Sequence, residues 1–250
     1  MSSQSAKIEI PGSQSFMIPG SNYGYTGMPV ENLTSFTNTV AVGLLDESGS
    51  TSPFKTQMDN CCKEIVKSLR HSSVADNLIY RQCHFGTNFR EHHGYTPLSQ
   101  LNESMYDGCY QSGGQTMLYD SIVRVINETL HYADLQAQNH YRCNGIIYII
   151  TDGADYKSML NQSDVKDALA KAVSSESLES LMTILIGVND NSTIQDELRK
   201  FQQNVGITQF EFIDTADEKK LARVANLISR SVISQSQHVN SGGPSQTLQF

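Results

Sequence analysis

The apolar positions of the chain follow two different periods. Short and nearly continuous apolar runs at Val40 to Leu45, Ile146 to Ile150 and Leu181 to Val188 have the length expected of strands buried on both faces of a parallel sheet. Between them, apolar residues recur at helical spacing. They do so at Met58, Cys62, Ile65, Val66 and Leu69 after Pro53, and at Leu118, Ile122, Val125, Ile126 and Leu130. Three more such segments carry Val165, Leu169 and Val173; Ile194, Leu198 and Phe201; and Leu221, Val224, Ile228 and Val232. Leu78 to Phe85 and Phe210 to Ile213 read as further strands, and Asn88 to Tyr95 as a weaker one, antiparallel to the rest. Pro97 to Tyr110 reads as a long connection holding a turn or two of helix. This alternation predicts an α/β fold: a mostly parallel sheet with helices on both faces and right-handed crossovers.

The two ends depart from the pattern. Residues 1–37 are punctuated by Pro, Gly, Ser and Asn, with short candidate strands at Lys7 to Ile10 and Ser15 to Ile18. These would form a hairpin or lie along a sheet edge, but the preferred reading is an extended arm that covers surface. The tail 234–250, rich in Ser, Gln and Gly, reads as disordered. The domain proper is therefore expected to span 38–233.

Composition narrows the function. The 250 residues, 38% of them hydrophobic, suffice for one large domain. A net charge of -8 with no Lys/Arg cluster argues against nucleic acid as the main partner. The longest apolar runs are too short to cross a bilayer, so no membrane insertion is expected. The first residues lack a secretory-type leader, which places the chain in the cytoplasm, with export that needs no N-terminal signal as the alternative. The five cysteines are odd in number, show no C-x-x-C spacing and include an adjacent pair, so they read as reduced packing residues. Adjacent His92 and His93 have no second ligand cluster near them in sequence and read as exposed or hydrogen-bonded.

Three stretches carry candidate chemistry. The first strand ends in Asp46, and Ser48 and Ser50 follow, separated by a glycine that lets the backbone turn both hydroxyls toward one point. A hard divalent cation would fit that point, at the carboxyl end of a strand where open α/β sheets bind ligands. Ser112-Gly113-Gly114-Gln115-Thr116 places Thr116 at or near a helix N-terminus, with Asp120 in its first turn. Thr151-Asp152-Gly153 puts a second carboxylate at the end of another buried strand.

Taken in order, Asp46-x-Ser48-x-Ser50, Thr116 and Asp152 resemble the metal-ion-dependent adhesion site of von Willebrand factor type A domains. Gly114-Gln115-Thr116-Met117-Leu118-Tyr119-Asp120 is also similar to that family's second motif as many bacterial members carry it. The resemblance covers roughly residues 38 to 233, and none of the five site positions departs from the pattern. It implies a six-stranded Rossmann-like sheet of order 3-2-1-4-5-6 with the metal on top. It further implies Mg²⁺, or Mn²⁺ or Ca²⁺, held by Ser48, Ser50 and, in the partner-bound state, Thr116, while Asp46 and Asp152 balance charge and orient waters. The implied role is non-enzymatic: the metal takes a Glu or Asp carboxylate from a partner protein, an ATPase or a multi-protein assembly being typical for intracellular members.

Two other function classes compete. A Mg²⁺-dependent phosphohydrolase or phosphotransferase of Rossmann-like fold would also place a carboxylate after its first strand. Haloacid-dehalogenase-like enzymes, however, put a second carboxylate two residues later, where Ser48 stands here, and no Walker A sequence occurs. The second alternative is a structural module of the same family that does not use its metal site.

Overall fold

The computed structural model describes the backbone of residues 7–241 and the side chains of residues 7–237. In chain order the strands are β1 (Gln14–Met17), β2 (Gly24–Gly27), β3 (Thr37–Asp46), β4 (Leu78–Phe85), β5 (Phe89–Pro97), β6 (Arg142–Thr151), β7 (Leu181–Val188) and β8 (Gln209–Ile213). The helices are α1 (Lys55–Arg70), α2 (Leu118–Gln138), α3 (Gln162–Val173), α4 (Ser192–Val205) and α5 (Glu218–Ser241). Two short 3-10 turns, Leu98–Gln100 and Glu103–Tyr106, lie within the long connection after β5.

The most apolar runs lie in the middle of the sheet. β3 pairs in parallel with both β4 and β6, and Val40 to Leu45 lie opposite Gly145 to Ile150. Both strands are buried along almost their whole length, as a sheet covered on two faces requires. Gly43 sits mid-strand because the Tyr148 ring occupies the space above it; a Cβ there would lie 2.5 Å from the Tyr148 hydroxyl. α1 packs on α5, and α3 lies between α2 and α4. The predicted helix faces supply the core, with one exception: Val173, at the end of α3, is 68% exposed.

Two expectations are corrected. The sheet has eight strands, not six, in the order β1-β2-β5-β4-β3-β6-β7-β8. The two additional strands come from the N-terminal arm, which is a structural part of the sheet and not a surface cover. β1 and β2 form an antiparallel hairpin, and β2 joins β5 through Gly27 opposite Tyr95. Tyr25, Met28 and Val30 of this arm are buried. Tyr132 donates its hydroxyl to Met28 O at 2.8 Å, and Glu91 accepts from Thr26 N at 3.1 Å and from Arg81 Nε at 2.8 Å. Arg81, fully buried, pairs with Glu91 and Glu128, so the hairpin closes over a compensated ionic group.

At the other end α5 continues to Ser241, past residue 233 where the domain was expected to stop. Its polar sequence hides a packed face. Gln235 and Ser236 are buried, Gln235 Nε2 donates to Ser180 Oγ at 2.6 Å, and Asn144 Nδ2 donates to Gln235 O at 3.2 Å. The remainder of the expected tail, 242–250, lies outside the described residues. Among the described residues no helix is long and apolar enough to cross a membrane. The five cysteines are all buried, and so are His92 and His93, which are hydrogen-bonded to Met105 O and to the Tyr106 hydroxyl.

Candidate metal centre

Asp46 is the last residue of β3, and β6 ends one residue before Asp152. The parallel register of the two strands brings both carboxylates to the same end of the sheet. Asp46 is held on both oxygens: Ser48 N donates to Oδ1 at 2.8 Å and Thr151 Oγ1 to Oδ2 at 2.6 Å. The first of these bonds folds the chain back in an Asx turn, so the next hydroxyls point toward Asp152. Ser50 Oγ donates to Asp152 Oδ1 at 2.9 Å. Ser48 Oγ lies 3.5 Å from the same oxygen and 3.1 Å from Ser50 Oγ. Three oxygens from two loops therefore form a small triangle. Asp46, Ser48 and Asp152 are buried and Ser50 is exposed, which opens the cluster to solvent on one side.

Burial dominates the electrostatics of the two carboxylates. It pushes the Asp46 carboxyl up to about 6, against the lowering effect of the Thr151 and Ser48 hydrogen bonds and with a smaller upward push from Asp152. Burial likewise raises Asp152, and Ser50 and Ser48 oppose it.

Thr116 reaches this end of the sheet on a third loop, which is stitched to the first. Gly113 N donates to Glu47 O at 2.7 Å, Gly49 N to Gly114 O at 3.0 Å, and Met117 N to Gly86 O at 3.2 Å. Gly114 has a φ of +88°, and a Cβ there would lie 2.2 Å from Thr87 Oγ1, so the turn requires glycine. Thr116 is buried and does not cap α2, whose first residue is Leu118. Asp155 performs that function from the loop after β6: its Oδ1 accepts Leu118 N at 2.8 Å and Tyr119 N at 3.2 Å. The Thr116 carbonyl in turn accepts Tyr156 N at 3.1 Å and Lys157 N at 2.9 Å.

The structure thus joins Asp46, Ser48, Ser50 and Asp152 through hydrogen bonds and brings Thr116 to the same sheet end through its backbone. Supporting residues escaped the sequence reading. Glu47 turns inward and accepts from Arg90 Nη2 at 2.6 Å and from Gln111 N at 2.5 Å, and His84 Nδ1 lies 2.9 Å from its carboxylate. Burial raises this carboxyl, but His84 and Arg90 more than offset it, so it titrates below its usual range. Tyr110 donates its hydroxyl to Asp46 O, and Asn189 Nδ2 donates to Asp152 O at 2.5 Å. None of these contacts has a local spacing that a sequence could reveal.

The donor set can be tested against a metal. Among the described residues no three His, Cys, Asp or Glu side chains gather where they could hold an ion. A cation here would rest on hydroxyls together with carboxylates, an all-oxygen set that suits a hard ion. Adjacent oxygens around a six-coordinate Mg²⁺ stand about 2.9 Å apart, given metal–oxygen distances of about 2.0–2.1 Å. The triangle edges of 2.9, 3.1 and 3.5 Å fit that set after a small contraction.

No family model matches this chain, and no curated protein matches it in sequence. Solved structures do resemble it. Proximal thread matrix protein 1 from the mussel byssus is 15% identical, with a TM-score of 0.55 over 78% of this chain and 48% of that one. The same protein has been solved with a zinc-occupied metal-ion-dependent adhesion site, at 14% identity and a TM-score of 0.53 over the same shares of both chains. The PilB minor pilin from Streptococcus sanguinis is 9% identical, with a TM-score of 0.56 over 84% of this chain and 64% of that one. The pilus adhesin SpaC from Lactobacillus rhamnosus GG, in its open conformation, is 10% identical, with a TM-score of 0.55 over 90% and 32%. The architecture is consistent with a von Willebrand factor A-like fold. At these identities the likeness concerns the fold alone, and this chain spans about half the length of the mussel protein and a third of the adhesin.

Proposed function

We propose that this chain is a non-enzymatic protein-interaction module that holds a divalent cation, Mg²⁺ in the first instance, at the Asp46–Ser48–Ser50–Thr116–Asp152 cluster and uses it to bind an acidic side chain of a partner protein. The observation that carries this reading is the oxygen triangle of Ser48, Ser50 and Asp152, which needs only a small contraction to match a hard-cation donor set and opens to solvent at Ser50. A bound Mg²⁺ supplies an electron-poor position that attracts an anionic oxygen. Ser48, Ser50 and Thr116 offer neutral hydroxyl oxygens, which leave most of the ionic charge available for a partner. Asp46 and Asp152, each fixed by hydrogen bonds, contribute the balancing negative charge. Burial raises both carboxyls, and a cation at the cluster would offset the cost of holding them ionised.

Among the proteins of similar fold, a pilus adhesin and a byssal thread matrix protein with a zinc-occupied adhesion-site motif support an interaction role over an enzymatic one. Zinc sites commonly recruit nitrogen or sulfur ligands, and the all-oxygen set here favours Mg²⁺, Mn²⁺ or Ca²⁺. Calorimetric titration of Mg²⁺ into the wild type and the Asp46→Ala protein tests the assignment. The substitution removes a balancing charge, so Mg²⁺ affinity should fall; equal affinities would mean that any bound ion sits elsewhere.

A further inference from the structure

The loop that follows Asp152 exposes large apolar side chains while its backbone is pinned. Tyr156 is 78% exposed and Met159 is 95% exposed, with Lys157 also exposed between them. Looseness does not explain this exposure. Tyr156 N and Lys157 N donate to Thr116 O, and Ser158 N and Oγ both donate to Asp155, at 3.2 and 2.5 Å. Met159 N and Leu160 N donate to the two oxygens of Asp120 at 3.1 and 2.8 Å. The anchors of Tyr156 to Leu160 are thus a metal-site residue, the cap of α2 and the first turn of α2. Beside it opens a cleft of about 330 Å³ lined in part by Tyr119, Ala154, Asp155, Leu198 and Phe201. Ala154 and Asp155 stand two and three residues beyond Asp152, so the cleft begins where the metal cluster ends.

From this geometry we infer that the loop 153–160 is a preformed apolar docking rim, selecting partner proteins in which the carboxylate that meets the metal has an apolar side chain next to it. The inference rests on the reading that the oxygen cluster holds a divalent cation. A loop whose backbone is already fixed has only its side chains to order on binding, which makes a rigid rim a better anchor than a loose one. Charge complementarity points the same way. The cation would draw the partner's carboxylate, the exposed Lys157 gives the rim itself a positive charge between Tyr156 and Met159, and these two would cover an apolar neighbour of that carboxylate from water. Elsewhere a chain with a net charge of -8 offers an acidic segment little attraction.

The test uses a dense immobilised array of peptides, each carrying one Glu flanked by Leu or Phe in one set and by Ser in the other. The purified chain is applied in Mg²⁺ and in EDTA, with calorimetric Mg²⁺ titration alongside. Retention in Mg²⁺ should be about tenfold stronger on the Leu and Phe set, the discrimination expected for covering one apolar side chain. The Tyr156→Ser/Met159→Ser protein should bind Mg²⁺ as the wild type does and lose that discrimination; both side chains are exposed, so the fold does not depend on them. Equal Mg²⁺-dependent retention on both sets would overturn the rim and leave the metal reading standing. A Leu and Phe preference that persists in EDTA would overturn the coupling of rim and metal. Absence of calorimetric Mg²⁺ binding by the wild type would overturn the metal reading and the rim with it.

Discussion

Ser50 Oγ lies 2.9 Å from Asp152 Oδ1, although 102 residues separate them in sequence. The contact follows from the pairing of β3 with β6, because two parallel neighbours of matched register end at the same level and put their following loops side by side. Ser50 comes from an exposed turn and Asp152 from a buried strand end, so the pair marks where the buried carboxylates meet solvent. It is the hydrogen bond that a cation entering the cluster would replace.

Metal affinity should depend on pH through Asp46. Its folded-state carboxyl, at about 6, lies above the ordinary value of 3.8. For such a group the metal-free protein loses stability as pH rises from about 4 to 6, where the folded state ionises only reluctantly. A cation must displace the remaining proton. At pH 5 roughly 90% of Asp46 would be protonated, so Mg²⁺ affinity should be about tenfold weaker there than at pH 7.5. Calorimetric titration at the two pH values checks this, and an affinity that does not change would remove Asp46 from the site.

Thr116→Ala separates binding from folding. The substitution deletes a hydroxyl but keeps the carbonyl that anchors Tyr156 and Lys157. Since Met117 holds the N-cap position of α2 and Asp155 accepts its first amides, stability should fall by less than the 0.5–2 kcal/mol typical of a lost cap. Mg²⁺-dependent retention on Glu-bearing peptides should weaken nonetheless. Thermal melting and array binding of the same preparation check both halves. Unchanged retention would mean that Thr116 does not take part.

The central sheet was legible because its middle strands carry nearly continuous apolar runs, as Val40 to Leu45 and Ile146 to Ile150 do, and because the five helices between and after the strands keep a clear apolar stripe. The gathering of Asp46, Ser48, Ser50 and Asp152 was legible because these residues sit at or just beyond the ends of two neighbouring strands, positions where few structural needs compete. The β1–β2 hairpin was misread for a physical reason: its strands have four residues each, one carries two glycines, and it is held largely by tyrosine packing and the Glu91 carboxylate. The end of α5 was misread because Ser and Gln there are buried by partners far away in sequence, such as Ser180. Asp155 gave no local signal at all, since the helix it caps begins 37 residues earlier.

Asp155→Ala should loosen the loop and the start of α2 together. It removes the acceptor of Leu118 N and Tyr119 N and frees Ser158 N and Oγ. The loss should lie near the upper end of the 0.5–2 kcal/mol for a cap, because loop and helix share the one carboxylate. Denaturant unfolding measures the cost. Hydrogen exchange should show faster amides at Leu118, Tyr119 and Ser158, while amides in the middle of β3 stay protected; exchange confined to the loop would mean that α2 is capped by other means.

Histidines under the arm give a separate pH signature. Burial, the largest cause, holds His93 down to about 4 and His92 down to about 2, so both are neutral in the folded protein at neutral pH. A group with a depressed folded value contributes stability that is present above its unfolded value of 6.5 and lost as pH falls toward the folded one. His93 accepts from or donates to the Tyr106 hydroxyl at 2.7 Å, a contact that glutamine can partly replace without a titrating ring. Wild type should therefore be more stable than His93→Gln at pH 7.5, and the gap should narrow by about 2 kcal/mol on going to pH 5, at 1.36 kcal/mol per pH unit below 6.5. Asp46 titrates with the opposite sign but equally in both proteins, so the difference between them isolates the histidine. Urea unfolding of both proteins at the two pH values measures it, and a gap that stays constant would mean that His93 titrates alike in the folded and unfolded states.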